Sequence, residues 1–126
     1  MCKAIQKNTL LLVDDDDVVR EAIKLIISLH FVDLDIIEAS GGDEAFEIVC
    51  NNKIDFVLTD VRMPAGDGIE LLEKIKNYNS ETPQVTLITG FSCISREDAI
   101  KKGALELFHK PFDIAKIGKL LKDCNF

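Results

Sequence analysis

Residues 56–68 read FVLTDVRMPAGDG. Phe56, Val57 and Leu58 form a short apolar run that leads to one acid, Asp60, and the chain then breaks at Met63-Pro64 and Asp67-Gly68. An apolar run that stops at turn-forming residues is a buried strand running into a loop, so Asp60 stands where the strand ends and solvent begins. Alone, an acid in this place starts a turn. Its meaning depends on what the other strand ends bring beside it.

The same pattern recurs on both sides. Upstream, residues 9–13 are a continuous apolar run that stops at four acids, Asp14 to Asp17. The helix expected over 18–29 has two apolar rows at i, i+4 spacing, Val18, Ala22, Ile26 and Val19, Ile23, Ile27, with Asp16 or Asp17 as cap and Arg20, Glu21 and Lys24 facing water. Residues 35–39 are a second strand. Ser40-Gly41-Gly42-Asp43 is a turn whose Asp43 caps a helix carrying Ala45, Phe46, Ile48 and Val49, closed by Asn51-Asn52.

Downstream, a helix over about 67–77 turns Ile69, Leu72 and Ile75 inward, and residues 78–83 are a polar loop. Residues 84–88 are a fourth strand ending at Thr89-Gly90. A helix over about 95–102 with little apolar content follows, ended by Gly103. Residues 105–109 are a fifth strand broken by Lys110-Pro111. Asp113 starts a last helix with Ile114, Ile117, Leu120 and Leu121 on its inner face.

Five strands that are nearly all full apolar runs, alternating with five helices, specify a parallel α/β sheet covered on both faces. Right-handed crossovers then favour a doubly wound, flavodoxin-like order 2-1-3-4-5. With 126 residues and 47% hydrophobic content, the chain is expected to be a single domain over 1–126, core about 9–125, with no output domain. The net charge of −7 argues against binding nucleic acid or a membrane surface and favours cations or basic partner surfaces. Cys2, Cys50, Cys93 and Cys124 lie far apart and form no CxxC. With no secretory leader and no long apolar segment, they read as reduced thiols of a cytoplasmic protein.

In open parallel sheets the ligand site lies beyond the carboxyl ends of the strands, where the strand order reverses. Those ends are Asp14-Asp15, Asp60, Thr89 and Lys110-Pro111. Carboxylates gathered on one rim repel one another unless a cation holds them ionised, and Mg²⁺ suits one or two carboxylates, waters and phosphate oxygens. A carbonyl from the loop after Asp60 would complete such a site. Beside Mg²⁺, Asp60 is the candidate nucleophile toward an incoming phosphoryl group, Lys110 the point charge on its oxygens, and the Thr89 hydroxyl a neutral donor to them. Gly90 leaves the approach open.

Val13-Asp14-Asp15-Asp16, Asp60 with Met63-Pro64 and Asp67-Gly68, Thr89-Gly90 and Lys110-Pro111-Phe112 together resemble the receiver domain of two-component response regulators, in order and in spacing. The resemblance implies a switch phosphorylated on Asp60 by a histidine kinase or histidine phosphotransfer protein. It makes Asp15, Asp60 and the Arg62 backbone carbonyl direct Mg²⁺ ligands, with Asp14 acting through a water. Lys110 pairs with the phosphoryl group and Thr89 swings toward it. A downstream protein then reads the fourth helix, fifth strand and fifth helix. The only chemistry implied is on the domain itself, so the chain is not an enzyme toward other substrates.

Three features depart from that pattern. Leu107 stands where the family carries Tyr or Phe, and strand alternation points Phe108 to the opposite face. Ala65-Gly66 replaces a methionine-bearing loop and implies more mobility there. Arg62 and Phe91 imply slow hydrolysis of the acyl phosphate. Of the alternatives, a Mg²⁺-dependent phosphatase with an Asp nucleophile needs a second acid at position 62, and a flavin or nucleotide binder would not place four acids after its first strand. A receiver excised from a larger regulator or hybrid kinase fits the same residues. His30 and His109 are given no phosphotransfer role.

Overall fold

The computed structural model describes residues 8–31, 33–90, 94–110 and 114–123. The elements are β1 (Asn8–Val13), α1 (Asp17–His30), β2 (Leu34–Ala39), α2 (Gly42–Asn51), β3 (Phe56–Asp60), α3 (Gly68–Tyr78), β4 (Gln84–Thr89), α4 (Arg96–Lys101), β5 (Glu106–His109) and α5 (Ile114–Asp123). All ladders are parallel, and the strand order is β2-β1-β3-β4-β5, as expected from the alternation of apolar runs and helices. Among the described residues no helix is long and apolar enough to cross a membrane.

Side-chain alternation along the strands divides the interior into two cores. Leu11, Val13, Val57, Val85, Leu87 and Leu107 pack with α2, α3 and α4, through Ala45 and Val49, Leu71, Leu72 and Ile75, and Ala99. Leu10, Leu12, Phe56, Leu58 and Ile88 pack on the other face with Ile23 and Ile27 of α1 and Ile117 and Leu121 of α5. Covering both faces is why these strands are apolar without alternation, since a residue on either side meets a helix. Leu107 and Phe108 fall on opposite faces, Leu107 in the first core and Phe108 against the second.

The structure corrects the reading of α1. The inner face is Val19, Ile23 and Ile27; Ala22 is exposed, Ile26 is only partly buried, and Val18, Leu25 and Leu29 lie on the outside at 78%, 62% and 74% exposure. Two apolar rows compete on this helix, and the sheet accepts one of them. Arg20 does not face water: its side chain is 16% exposed and ion-paired with Asp17 and Glu38. Asp43 does not cap α2. The cap is Gly41, which has no side-chain bond, and Asp43 lies in the first turn. The caps at Asp16, Asp67 and Ser95 accept main-chain N–H groups of their first turns, and Gly103 follows α4 at φ +108°. Asp113, Pro111, Phe112, Phe91, Cys2, Cys93, Cys124 and the side chain of Ile114 lie outside the described residues; Cys50 is a free, exposed thiol.

Candidate functional site

The rim of the sheet follows from strand register. Val13 pairs with Thr59, so Asp14 emerges level with Asp60, and Asp60 pairs with Ile88, so Thr89 comes next on β4. Thr89 pairs with His109, and Lys110 follows. Main-chain bonds continue three of the four ladders one step past the strands: Asp14 N to Ala39 O at 3.1 Å, Val61 N to Ile88 O at 2.8 Å and Lys110 N to Thr89 O at 2.8 Å. The acids of β1 and β3 therefore meet where the strand order reverses, since β2 lies to one side of β1 and β3 to the other.

The loop after Asp60 is built from its glycines. Asp67 caps α3 by accepting Glu70 N–H at 2.8 Å, and Gly68 N–H donates to Val61 O at 2.8 Å. A Cβ on Gly68 would lie 2.3 Å from the Asp60 carbonyl oxygen, so only glycine lets α3 start beneath the acid. Gly66 takes φ +87° against Asp43. The carbonyls of Ala65 and Gly66 accept Asp43 N–H at 3.3 Å and Gly42 N–H at 2.9 Å. Two main-chain bonds thus tie the Ala65-Gly66 segment to the first turn of α2. Gly90 has no comparable steric need: a Cβ there would make an ordinary contact, 3.9 Å from Lys110 Cδ.

Three carboxylates converge at the rim. Asp14, Asp15 and Asp60 each present an oxygen, all within 4.8 Å of one another. Asp14 is 3% exposed and Asp60 9%, whereas Asp15 is open to solvent. Lys110 Nζ lies 3.0 Å from Asp60 Oδ2 and 3.7 Å from Asp14 Oδ2, placing one cation between two anions. Burial pushes the Asp14 carboxyl above its ordinary value, opposed by the Asp16 N–H and Lys110 and reinforced by Asp60 and Asp15. Burial alone would depress the Lys110 ammonium, but its bond to Asp60 and the charges of Asp60 and Asp14 outweigh it and raise its pKa. Thr89 is fully buried at the end of β4, and the Arg62 side chain is exposed just past Val61.

This donor set fits a hard divalent cation. Mg²⁺ takes oxygen ligands at about 2.0–2.1 Å, so opposite ligands span about 4.2 Å. Three acid oxygens within 4.8 Å of one another lie near that span, and side-chain rotation suffices to draw them onto one ion. Sequence reasoning found all of these residues because each ends a strand. It missed Arg20, whose Nη1 donates to the Asp14 carbonyl at 2.6 Å. The only sequence signal for this was an arginine one turn after the acids.

The chain matches known proteins over nearly its whole length. A family model described as the response regulator receiver domain covers residues 10–122. The response regulator protein PilR of Pseudomonas aeruginosa is 33% identical over 112 residues, 88% of this chain and 24% of that protein. The response regulator MprA of Mycobacterium sp. (strain KMS) is 31% identical over 108 residues, 86% of this chain and 46% of that protein. The chain thus spans less than half the length of these relatives. Among solved structures, a chain of the CheX-CheY-BeF3-Mg complex from Borrelia burgdorferi superposes with a TM-score of 0.83 at 28% identity, covering 94% of this chain and 90% of that one. The Francisella response regulator 1452 receiver domain shares the fold, with a TM-score of 0.83 at 24% identity over 94% of this chain and 96% of that one.

Proposed function

Given that the chain belongs to the response regulator receiver domain family, we propose that it is a phosphorylation-activated switch whose phosphoacceptor is Asp60. The observation that carries this reading is the convergence of Asp14, Asp15 and Asp60, with Lys110 bonded to Asp60, at the point where the strand order reverses. In the proposed reaction an Asp60 carboxylate oxygen attacks the phosphorus of a phosphohistidine on a histidine kinase or histidine phosphotransfer protein. The N–P bond breaks, and the departing imidazole takes a proton from solvent. The product is an acyl phosphate on Asp60, and the domain's own chemistry is confined to forming and hydrolysing it.

Asp15, Asp60 and the Arg62 carbonyl are the proposed direct ligands of Mg²⁺, with Asp14 acting through a water. When bound, Mg²⁺ neutralises the acids and the phosphoryl oxygens, which is the main requirement of phosphoryl transfer. The Borrelia neighbour was solved in a complex with BeF3 and Mg²⁺, which supports the choice of metal. Lys110 moves its charge from the carboxylate to a phosphoryl oxygen, and the Thr89 hydroxyl donates to another. The output surface we assign is α4, β5 and α5, where Arg96 of α4 is ion-paired with Glu106 of β5 and Leu107 packs with Ala99. Arg62 beside the acceptor favours slow hydrolysis of the product.

Incubation with Mg²⁺ and acetyl phosphate tests the reaction. A labile adduct of one phosphoryl mass is expected, lost in Asp60→Asn and in the presence of a chelator. An adduct that survives either change would overturn the assignment.

A further inference from the structure

We propose that Arg20 is a positioning residue for the metal site: it fixes the peptide between Asp14 and Asp15 and so aims the Asp15 carboxylate. The inference rests on the Mg²⁺ reading above and adds to it a residue outside the acidic rim.

Arg20 lies in the first turns of α1, and all three guanidinium nitrogens are engaged. Nη1 donates to the Asp14 carbonyl at 2.6 Å, Nη2 to Asp17 Oδ1 at 2.6 Å and Nε to Glu38 Oε1 at 3.1 Å. Glu38 is anchored in β2, where it pairs with Leu12, and also accepts from Lys24 Nζ at 3.1 Å. A planar fork holding three acceptors defines an orientation that a lysine ammonium cannot reproduce.

The clamp acts at one peptide. Asp14 N–H is held by the Ala39 carbonyl, its Oδ1 accepts Asp16 N–H at 2.9 Å, and its own carbonyl is held by Arg20. The Asp14 carbonyl belongs to the peptide that enters Asp15, so its tilt sets where the Asp15 Cα–Cβ bond points. Asp15 is exposed, so burial among the described residues does not make that choice instead. An ion pair with an exposed partner such as Asp17 contributes little to stability. Groups that orient metal ligands, in contrast, act strongly on affinity.

Calorimetric titration of Mg²⁺ into the full chain tests this, with the melting temperature of the metal-free protein measured in parallel. Arg20→Met should weaken Mg²⁺ binding about tenfold, Arg20→Lys nearly as much, and Glu38→Gln less but in the same direction. Ile23→Val, on the buried face of the same helix, should lower the melting temperature and leave Mg²⁺ affinity unchanged. If Arg20→Met does not fold, Glu38→Gln carries the same expectation. Binding by Arg20→Met and Glu38→Gln within about twofold of wild type, while Asp60→Asn loses it, would overturn the positioning role and leave the metal site standing. Wild-type affinity in Asp60→Asn would overturn the metal site itself, and this inference with it.

Discussion

Thr86 shows how locally the energetics of this chain can be read. Its hydroxyl is fully buried in the middle of β4 and has no hydrogen-bond partner among the described residues. A buried hydroxyl left unsatisfied costs about 1–3 kcal/mol, and an apolar group of the same shape removes that cost. Thr86→Val is therefore expected to raise unfolding stability by about 1 kcal/mol in urea titration, and a loss would contradict this account. Glu38 makes the corresponding argument for charge. Its bond from Lys24, with Arg20 adding to it against partial burial, holds its carboxyl below the ordinary value. A lowered acid contributes stability above its unfolded pKa and loses it as the pH falls through the folded one. The difference in stability between wild type and Glu38→Gln should therefore shrink as the pH drops below about 4.3, measured by urea unfolding across pH. Asp14, pushed in the opposite direction by burial, is present in both proteins and cancels from the difference.

At the scale of elements, Leu107 is one of the positions that depart from the pattern the sequence resembles. It is 5% exposed and packed with Leu87, Ala99 and Ala104, so the site is sized for an aliphatic side chain. Leu107→Tyr should cost about 1–3 kcal/mol by overpacking, read from urea unfolding; a tyrosine accepted without loss would show that space for a ring exists. The strands were legible in the sequence because helices cover both faces and leave full apolar runs. The cap at Asp16 was legible because capping chemistry is local, whereas Asp43, expected as a cap, lies in the first turn of α2. The working face of α1 was not, because Val18, Leu25 and Leu29 make its outside as apolar as its inside. Arg20 was misread for a different reason: its partner Glu38 is 18 residues away, and only the pairing of β1 with β2 brings the two together. The acids of the site announced themselves by ending strands, whereas the clamp that orients them depends on a tertiary contact.

For the molecule as a whole, a chain of net charge −7 gathers three carboxylates on one rim, and part of its folding energy is spent holding them there. A cation that binds only the folded state returns that energy by mass action, about 2.7 kcal/mol at a hundredfold excess over its dissociation constant. Mg²⁺ should therefore raise the melting temperature of the wild type and shift Asp60→Asn much less, in calorimetric scans with and without the metal. The two cores, one on each face of the sheet, keep this rim rigid from behind: Leu10 to Val13 and Phe56 to Leu58 are at most 1% exposed. The central claim is that phosphoryl transfer ends on one carboxylate, and reduction with borohydride tests it most directly, because the reagent converts an aspartyl phosphate to homoserine. After treatment with Mg²⁺ and acetyl phosphate, peptide mapping should find homoserine at position 60. Homoserine at position 14 or 15 with residue 60 unchanged would contradict it.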